Sequence, residues 1–537
     1  MKKLIVTLFI SVLLIVTFIF VFKMLLDKPI FDTTKNVDIY LDGIKEDKYN
    51  HIFTNNQIYI NANYLKQNEL LDYYWDNNYN KISIFNDFKY DVINYNNKKA
   101  FYNKIPFNIN EIIIIENNEL YFNSKFINDN YVFRLYVDID NLKVIIEEDI
   151  SEYEVVKKSR LKSSPTSRAI TLKKLDIKDS IYVYNNEYNG WILARTEENA
   201  IGYVKLSDIR PISKTMYNTY ESLNNGKKIR MAWDLVYIKV EEFEPFNIPY
   251  AIDIVGPTWF ELEDTKEKFK DLSNDDYINF VKDSNKDIWA VFNNRFDPDL
   301  TSELLNNGIK RSEIADKIID ITLNKGFDAI NLDFENIHLK DKDVFSAFVK
   351  ELYCKAKEKG ILFTIDITIM SNAENWSLCY DRNVVGKYSD YIMLMAYDEN
   401  VSGVIGSVSS LPWVEYGVNN LLEYASSEKI VLSIPFYTRL WEEHLDNQQK
   451  VKSTALRIGS ANKAIEELGI NLIYDDSTGQ NFGEIMIDDI KYTIWNEDET
   501  SLVNRLDIIK KYNLSGYAVW AFKYGTDEMW ELLKNKK

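Results

Sequence analysis

Residues 226–537 read as an α/β fold, a TIM (β/α)8 barrel, preceded by an α+β two-repeat domain, a small all-β barrel and one N-terminal transmembrane helix. Three observations predict this order. Eight strand-like apolar runs alternate with helical ones through the C-terminal part, the pattern of parallel strands joined by crossover helices. A block near residue 55 returns 62 residues later without a gap. The chain also opens on a long uncharged apolar run.

At 537 residues the chain is long enough for roughly three or four folding units. Its 46% hydrophobic and 14% aromatic residues supply several cores, which excludes disorder or a fibrous repeat for the whole chain. The charge balance, 64 − 82 = −18, lacks the basic footprint that binding to nucleic acid needs, so a neutral or weakly charged ligand is expected. Cys354 and Cys379 are too few for a disulfide framework, and His51, His338 and His444 too scattered for a zinc site. No metal and no cofactor is expected.

The first element runs from Leu4 to Phe22, 22 − 4 + 1 = 19 residues without a charge, about one bilayer of helix. Lys2 and Lys3 ahead of it place the N-terminus in the cytoplasm and the bulk of the protein outside. The next residues, Lys23-Met24-Leu25-Leu26-Asp27, offer no small-x-small cleavage site. Residues 1–27 are therefore expected to stay as a single-pass anchor in the cell membrane; cleavage would instead make the protein secreted.

In the repeat, Asn55-Asn56-Gln57-Ile58-Tyr59-Ile60-Asn61 reappears as Asn117-Asn118-Glu119-Leu120-Tyr121-Phe122-Asn123. The same shift aligns Trp75-Asp76 with Val137-Asp138 and Lys81-Ile82-Ser83-Ile84 with Lys143-Val144-Ile145-Ile146. Each copy reads strand, short helix, strand, so residues 36–150 should form two packed half-modules, and they hold no cluster of chemically competent residues. Residues 160–213 carry short strand-like runs, such as Ser180 to Tyr184 and Trp191 to Ala194, split by turn signals such as Asn189-Gly190. A small all-β barrel follows, in which Trp191 could stack on a ligand but is more commonly a half-buried core tryptophan, and no site is assigned to it. A linker, Lys214 to Gly226, leads to the last domain.

There the expected strands are 229–233, 251–255, 288–292, 329–335, 362–367, 391–397, 430–435 and 516–521. Between the fourth and fifth, Val344, Phe348 and Leu352 recur at helical spacing within Asp343 to Lys359. In such a barrel the chemistry lies at the C-terminal strand ends. On the fourth strand Asn331, Asp333 and Glu335 lie two apart and share one face, with Ile330, Leu332 and Phe334 on the other. A row of polar groups facing a barrel interior is costly unless paired or functional, which marks these three as site residues.

The run Asp328-Ala329-Ile330-Asn331-Leu332-Asp333-Phe334-Glu335 resembles the Asp-x-x-Asp-x-Asp-x-Glu signature of glycoside hydrolase family 18, the chitinase-like hydrolases, with Asn331 in place of an aspartate. The resemblance implies that Glu335 is the general acid and that the substrate's own acetamido oxygen attacks the anomeric carbon. Asp333 would orient and charge-stabilise the acetamido group. In the family two close aspartates can share a proton, and Asn331 is expected to remove that option. Met395-Ala396-Tyr397-Asp398 resembles the family's sixth-strand motif, implying that Tyr397 donates to the acetamido carbonyl and Asp398 helps to hold the sugar. Pro435-Phe436-Tyr437-Thr438-Arg439-Leu440-Trp441 resembles its seventh-strand loop, and Trp520 its tryptophan floor. Glu335, Asp333 and Tyr397 are thus expected to be catalytic, and Asn331, Asp398, Trp520, Tyr437 and Arg439 substrate-binding.

Asn331, together with Gly256-Pro257-Thr258-Trp259-Phe260, resembles the subgroup that includes the spore-cortex-lytic N-acetylglucosaminidases, which act on peptidoglycan. The repeat resembles a stalk domain related to the N-terminal domain of copper amine oxidases, a module without a copper site. Leu161-Lys162-Ser163-Ser164-Pro165, Gly190-Trp191 and Gly202-Tyr203-Val204 resemble bacterial SH3-like domains of cell-wall enzymes. The expected function is a membrane-anchored, extracytoplasmic hydrolase of β-1,4 bonds between 2-acetamido sugars in peptidoglycan, with that glycan and the membrane as partners and no nucleic acid. A chitinase or chitooligosaccharide hydrolase would share every catalytic residue named. A non-catalytic glycan-binding wall protein is disfavoured by the presence of Glu335.

Overall fold

The computed structural model describes residues 37–535, apart from 47, 87–88, 132, 149, 214–227, 241, 265, 267, 402 and 446–449. The expected anchor at 1–27 and the linker lie outside the described residues. Among the described residues no helix is long and apolar enough to cross a membrane. The described residues divide into two compact units, those within 1–73 and 92–221, and those within 74–91 and 222–537.

In the first unit the repeat has a physical explanation. Asn55-Asn56 and Asn117-Asn118 all take positive φ, from 50° to 64°, the conformation of a two-residue hairpin turn that asparagine tolerates. The strands that leave these turns, Gln57–Asn61 and Glu119–Asn123, pair antiparallel with each other, with Phe122 opposite Ile60. Each ends in an asparagine that caps the next helix. Asn61 accepts from the N–H groups of Asn63 and Tyr64 ahead of Ala62–Gln67, and Asn123 from those of Lys125 and Phe126 ahead of Ser124–Asn130.

The seven strands Ile150–Val155, Ser159–Lys162, Thr171–Leu175, Ser180–Tyr188, Trp191–Thr196, Ile201–Lys205 and Ile209–Ser213 form one sheet. It begins at Ile150 rather than at 160, because Ile150–Val155 pairs with both Ser180–Tyr188 and Ile209–Ser213. Trp191 is half-buried, with Lys205 Nζ 5.6 Å from its ring centre.

In the second unit eight parallel strands close a barrel: Ile229–Asp234, Ile254–Pro257, Asp287–Asn293, Ala329–Asp333, Leu362–Thr368, Tyr391–Met395, Ile430–Pro435 and Gly516–Trp520. The first pairs with the eighth, and the second with the third, so no edge is left between them. Met231, Trp289, Val291, Tyr391, Met393 and Val431 fill the interior, while Ile330, Leu332, Ile365 and Ile367 face the surrounding helices. The helix expected after the fourth strand is Lys342–Glu358.

The fourth and sixth strands end two residues early, at Asp333 and Met395, and three larger differences from expectation stand out. The second strand is 254–257 instead of 251–255, so Gly256 and Pro257 belong to it and do not follow it. Between the seventh and eighth strands, Tyr437–His444, Val451–Arg457, Ile473–Asp475, Gln480–Ile487 and Ile490–Asn496 form an inserted antiparallel sheet with the helix Ile458–Leu468. Tyr437 and Arg439 therefore stand on a strand of that insert, not on a loop.

The third difference is the segment 74–91, which the repeat assigned to the stalk and which packs with the barrel. Arg311, fully buried on the helix Gly308–Lys325, donates from Nη1 to Asp76 Oδ1 at 3.1 Å and from Nη2 to Asp76 Oδ2. Lys81 Nζ donates to the Gly308 carbonyl at 2.8 Å and lies 3.8 Å from Glu351. Burial opposes charge on Glu351, yet Lys355, Lys81 and Arg311 hold its carboxyl down at about 2. Burial lowers Lys81 to about 8.

Candidate active site

The fourth barrel strand turns Asn331 and Asp333 inward, fully and almost fully buried, and releases Glu335 just past its end, partly open at the mouth. Asp328, the first aspartate of the signature, lies below the strand and accepts from the Ile288 N–H at 2.8 Å, a structural contact. Asn294 clamps Glu335 through its main chain, donating from Nδ2 to the Glu335 carbonyl at 2.7 Å and accepting at Oδ1 from the Glu335 N–H at 3.0 Å. The Tyr380 hydroxyl donates to the preceding carbonyl, that of Phe334, at 3.0 Å.

Asn331 is fixed on every side. Trp233 Nε1 donates to its Oδ1 at 2.8 Å, and its Nδ2 donates to Asp366 Oδ1 at 2.6 Å and to Thr364 Oγ1 at 3.1 Å. The second carboxyl that Asn331 was expected to cost the site is present after all, as Asp366 on the adjacent strand Leu362–Thr368. Sequence reasoning missed Asp366, Thr364, Trp233, Asn294 and Tyr380. The signal for two of them was in reach: Thr364 and Asp366 alternate with Phe363, Ile365 and Ile367 as Asn331 and Asp333 alternate with Ile330 and Leu332.

The remaining predicted residues gather around this acidic centre. Tyr397 follows the sixth strand, stacks on Trp520 at 6.2 Å between ring centres and meets Tyr437 edge-on at 6.2 Å. Trp520 in turn meets Trp233 at 5.7 Å. The Tyr437 hydroxyl donates to Asp398 Oδ1 at 2.5 Å, and Arg439 stands 4.0 Å from the same oxygen.

Asp333, Glu335 and Asp366 stand together at this centre, and Arg439 and Lys523 are engaged with Asp398 and Asp234 instead. Burial pushes Asp333 up to about 7, against a hydrogen bond with Glu335. Burial, then the charges of Asp333 and Asp398, raise Glu335 well above the ordinary carboxylate range. Burial and the charge of Asp333 do the same to Asp366. Near neutral pH, then, Glu335 carries a proton that it can give up at the mouth, with an aspartate beneath it that ionises. Among the described residues no group of three or more His, Cys, Asp or Glu side chains is arranged to hold a metal ion.

A glutamic acid whose carboxyl is raised by burial at the mouth of a (β/α)8 barrel, over a buried aspartate and beside stacked aromatics, fits the acid of a glycoside hydrolase. Residues 252–525 match the profile of glycosyl hydrolases family 18. The chain belongs to that family. It is 24% identical over 268 residues to an uncharacterized glycosylase, YvbX, of Bacillus subtilis (strain 168), a match covering 48% of this chain and 77% of that protein. It is 23% identical over 260 residues to the cortical fragment-lytic enzyme of the same organism, covering 46% of this chain and 59% of that protein. The crystal structure of the spore cortex-lytic enzyme SleL of Bacillus megaterium QM B1551 has the same fold, with a TM-score of 0.51 at 17% identity over 64% of this chain and 78% of that one.

Proposed function

We propose that the protein is a membrane-anchored, extracytoplasmic hydrolase that cleaves β-1,4 bonds of 2-acetamido sugars in peptidoglycan. The observation that carries this reading is the raised, partly open Glu335 hydrogen-bonded to buried Asp333. In the proposed reaction the substrate's acetamido oxygen attacks the anomeric carbon while Glu335 gives its proton to the departing glycosidic oxygen. Asp333, ionised, faces the positive charge that develops on the acetamido group, and the Tyr397 hydroxyl, with a pKa raised well above its usual range by burial and then by Asp366, remains a hydrogen-bond donor to its carbonyl. Glu335 then takes a proton from the water that opens the cyclic intermediate. Trp520 forms the floor under the sugar, while Asp398, Tyr437 and Arg439 hold its polar edge.

Peptidoglycan is favoured over chitin by the likeness to the cortical fragment-lytic enzyme and by the uncharged run Leu4 to Phe22, which would hold the barrel in the wall layer. The resemblances of residues 36–150 to a stalk and of the all-β sheet to SH3-like wall modules agree with it. The experiment is digestion of purified cortex, vegetative peptidoglycan and chitin by the full chain, with mass analysis of the released ends. New reducing N-acetylglucosamine ends from cortex or peptidoglycan are expected. Release from chitin alone would contradict the peptidoglycan reading.

A further inference from the structure

We propose that Asp366 is a positioning residue: it holds the Asn331 amide with both N–H groups turned away from Asp333, which leaves an Asp333 oxygen open for the substrate's acetamido N–H. This rests on the reading of Asp333 given above. An asparagine side chain has two hydrogens to donate and one oxygen to accept with. Here the oxygen is taken by the Trp233 indole, one hydrogen by Asp366 and the other by Thr364. Thr364 spends its own hydroxyl proton on the Ile330 carbonyl at 3.0 Å, so it meets Asn331 as an acceptor. Nothing remains for Asp333, whose Oδ1 is buried and has no hydrogen-bond partner among the described residues.

That open oxygen is costly in a folded protein and calls for an explanation. Asn331 stands two residues away on the same face, and without Asp366 its amide would be free to turn and fill it. An amide donor on Asp333 would stabilise the carboxylate and occupy the atom that has to meet the substrate. The charged and titratable groups around Asp333 are Glu335 just past the end of its own strand, Asp366 on the fifth, Tyr397 and Asp398 after the sixth, and Tyr380. Asn293 stands opposite it on the third strand. Removing Asp366 therefore leaves Asn331 as the new donor to Asp333.

The test uses the full chain with 13C-labelled aspartate carboxyls. The pH titration of Asp333 is followed by infrared difference spectroscopy in the ligand-free protein, with Asp333→Asn as the assignment control. Asp366→Leu is expected to lower the Asp333 midpoint by about one unit or more, the effect of one added donor. Asp366→Asn keeps an oxygen for the Asn331 N–H and should leave the midpoint in place. Adding Asn331→Leu to Asp366→Leu should restore it. On a chitooligosaccharide, kcat should fall in Asp366→Leu with little change in KM. An unchanged midpoint in folded Asp366→Leu, or a shift that Asn331→Leu does not reverse, overturns the proposal. Asn331→Leu alone gives a second check if Asp366→Leu does not fold: its Asp333 midpoint should match the wild type, and a rise would show that Asn331 already donates to Asp333. If the midpoints behave as expected but the wild type cleaves no 2-acetamido glycan, the lock stands and the functional reading fails.

Discussion

Asn294 holds Glu335 by both of its main-chain polar groups, at 2.7 and 3.0 Å, and is itself fully buried and anchored by Thr301 Oγ1 at 2.9 Å. Glu335 lies beyond the last residue of its strand, so no sheet hydrogen bonds fix it. Asn294→Ala should let the acid drift by a fraction of an ångström or more, which can cost about 10²-fold in kcat, with a smaller change in KM. Steady-state kinetics on one defined oligosaccharide decide this, and a wild-type kcat would show that the clamp is dispensable.

The pH profile follows from the buried carboxyls. Asp333 is active when ionised and is held at about 7, so kcat/KM should rise with pH through about 7; Glu335, raised well above its ordinary value, should keep its proton beyond that point. The stability sign is the opposite. A folded pKa raised from 3.8 to about 7 gives stability that is complete below about 3.8 and lost as pH rises through about 7. Asp333→Asn should therefore melt above the wild type at pH 8 and level with it near pH 4. Equal melting temperatures at pH 8 would mean that Asp333 is not burdened by burial.

Asp76 is worth more to the barrel than to the repeat in which it was read. Asp76→Ala would leave Arg311 buried without its closest partner, a loss of about 3 kcal/mol or more. Thermal melting of the full chain, followed through the barrel transition, should show a clear drop. A fragment beginning at residue 214 lacks Asp76 and Lys81 altogether and should melt lower still.

The anchor is tested separately. Protease added to intact protoplasts should remove the barrel, given Lys2, Lys3 and the uncharged run that follows. Protection of the barrel would reverse the topology.

Much of the barrel was legible because each strand is a short apolar run whose alternation names its inward face, and Asn331, Asp333 and Glu335 were found by that rule alone. Asp366 obeys the same rule, alternating with Phe363, Ile365 and Ile367, but it is a lone acid with Thr364 beside it, a weaker mark than the row of three on the fourth strand. Its partner, Asn331, is 35 residues away and reaches it only because adjacent strands are parallel and in register. Asn294 and Trp233 were hidden for the same reason. The repeat was legible through its turn and cap asparagines, yet the fate of 74–91 was not, because the charges that bind it, Arg311 and Glu351, lie far along the chain and carry no local signal. The insert was missed because strands such as Val451–Arg457 and Gln480–Ile487 follow neither the continuous apolar run of a barrel strand nor a clean alternation.

Glu335→Gln is the sharpest probe of the acid. The amide keeps the shape of the side chain but has no proton to give, so hydrolysis of a defined 2-acetamido oligosaccharide should fall by at least about 10² to 10⁴-fold. Binding of the same oligosaccharide, measured by calorimetry, should persist, since Trp520, Tyr397 and Asp398 are untouched. Retained hydrolysis near the wild-type rate, with the variant folded, would show that Glu335 is not the acid and would contradict the account.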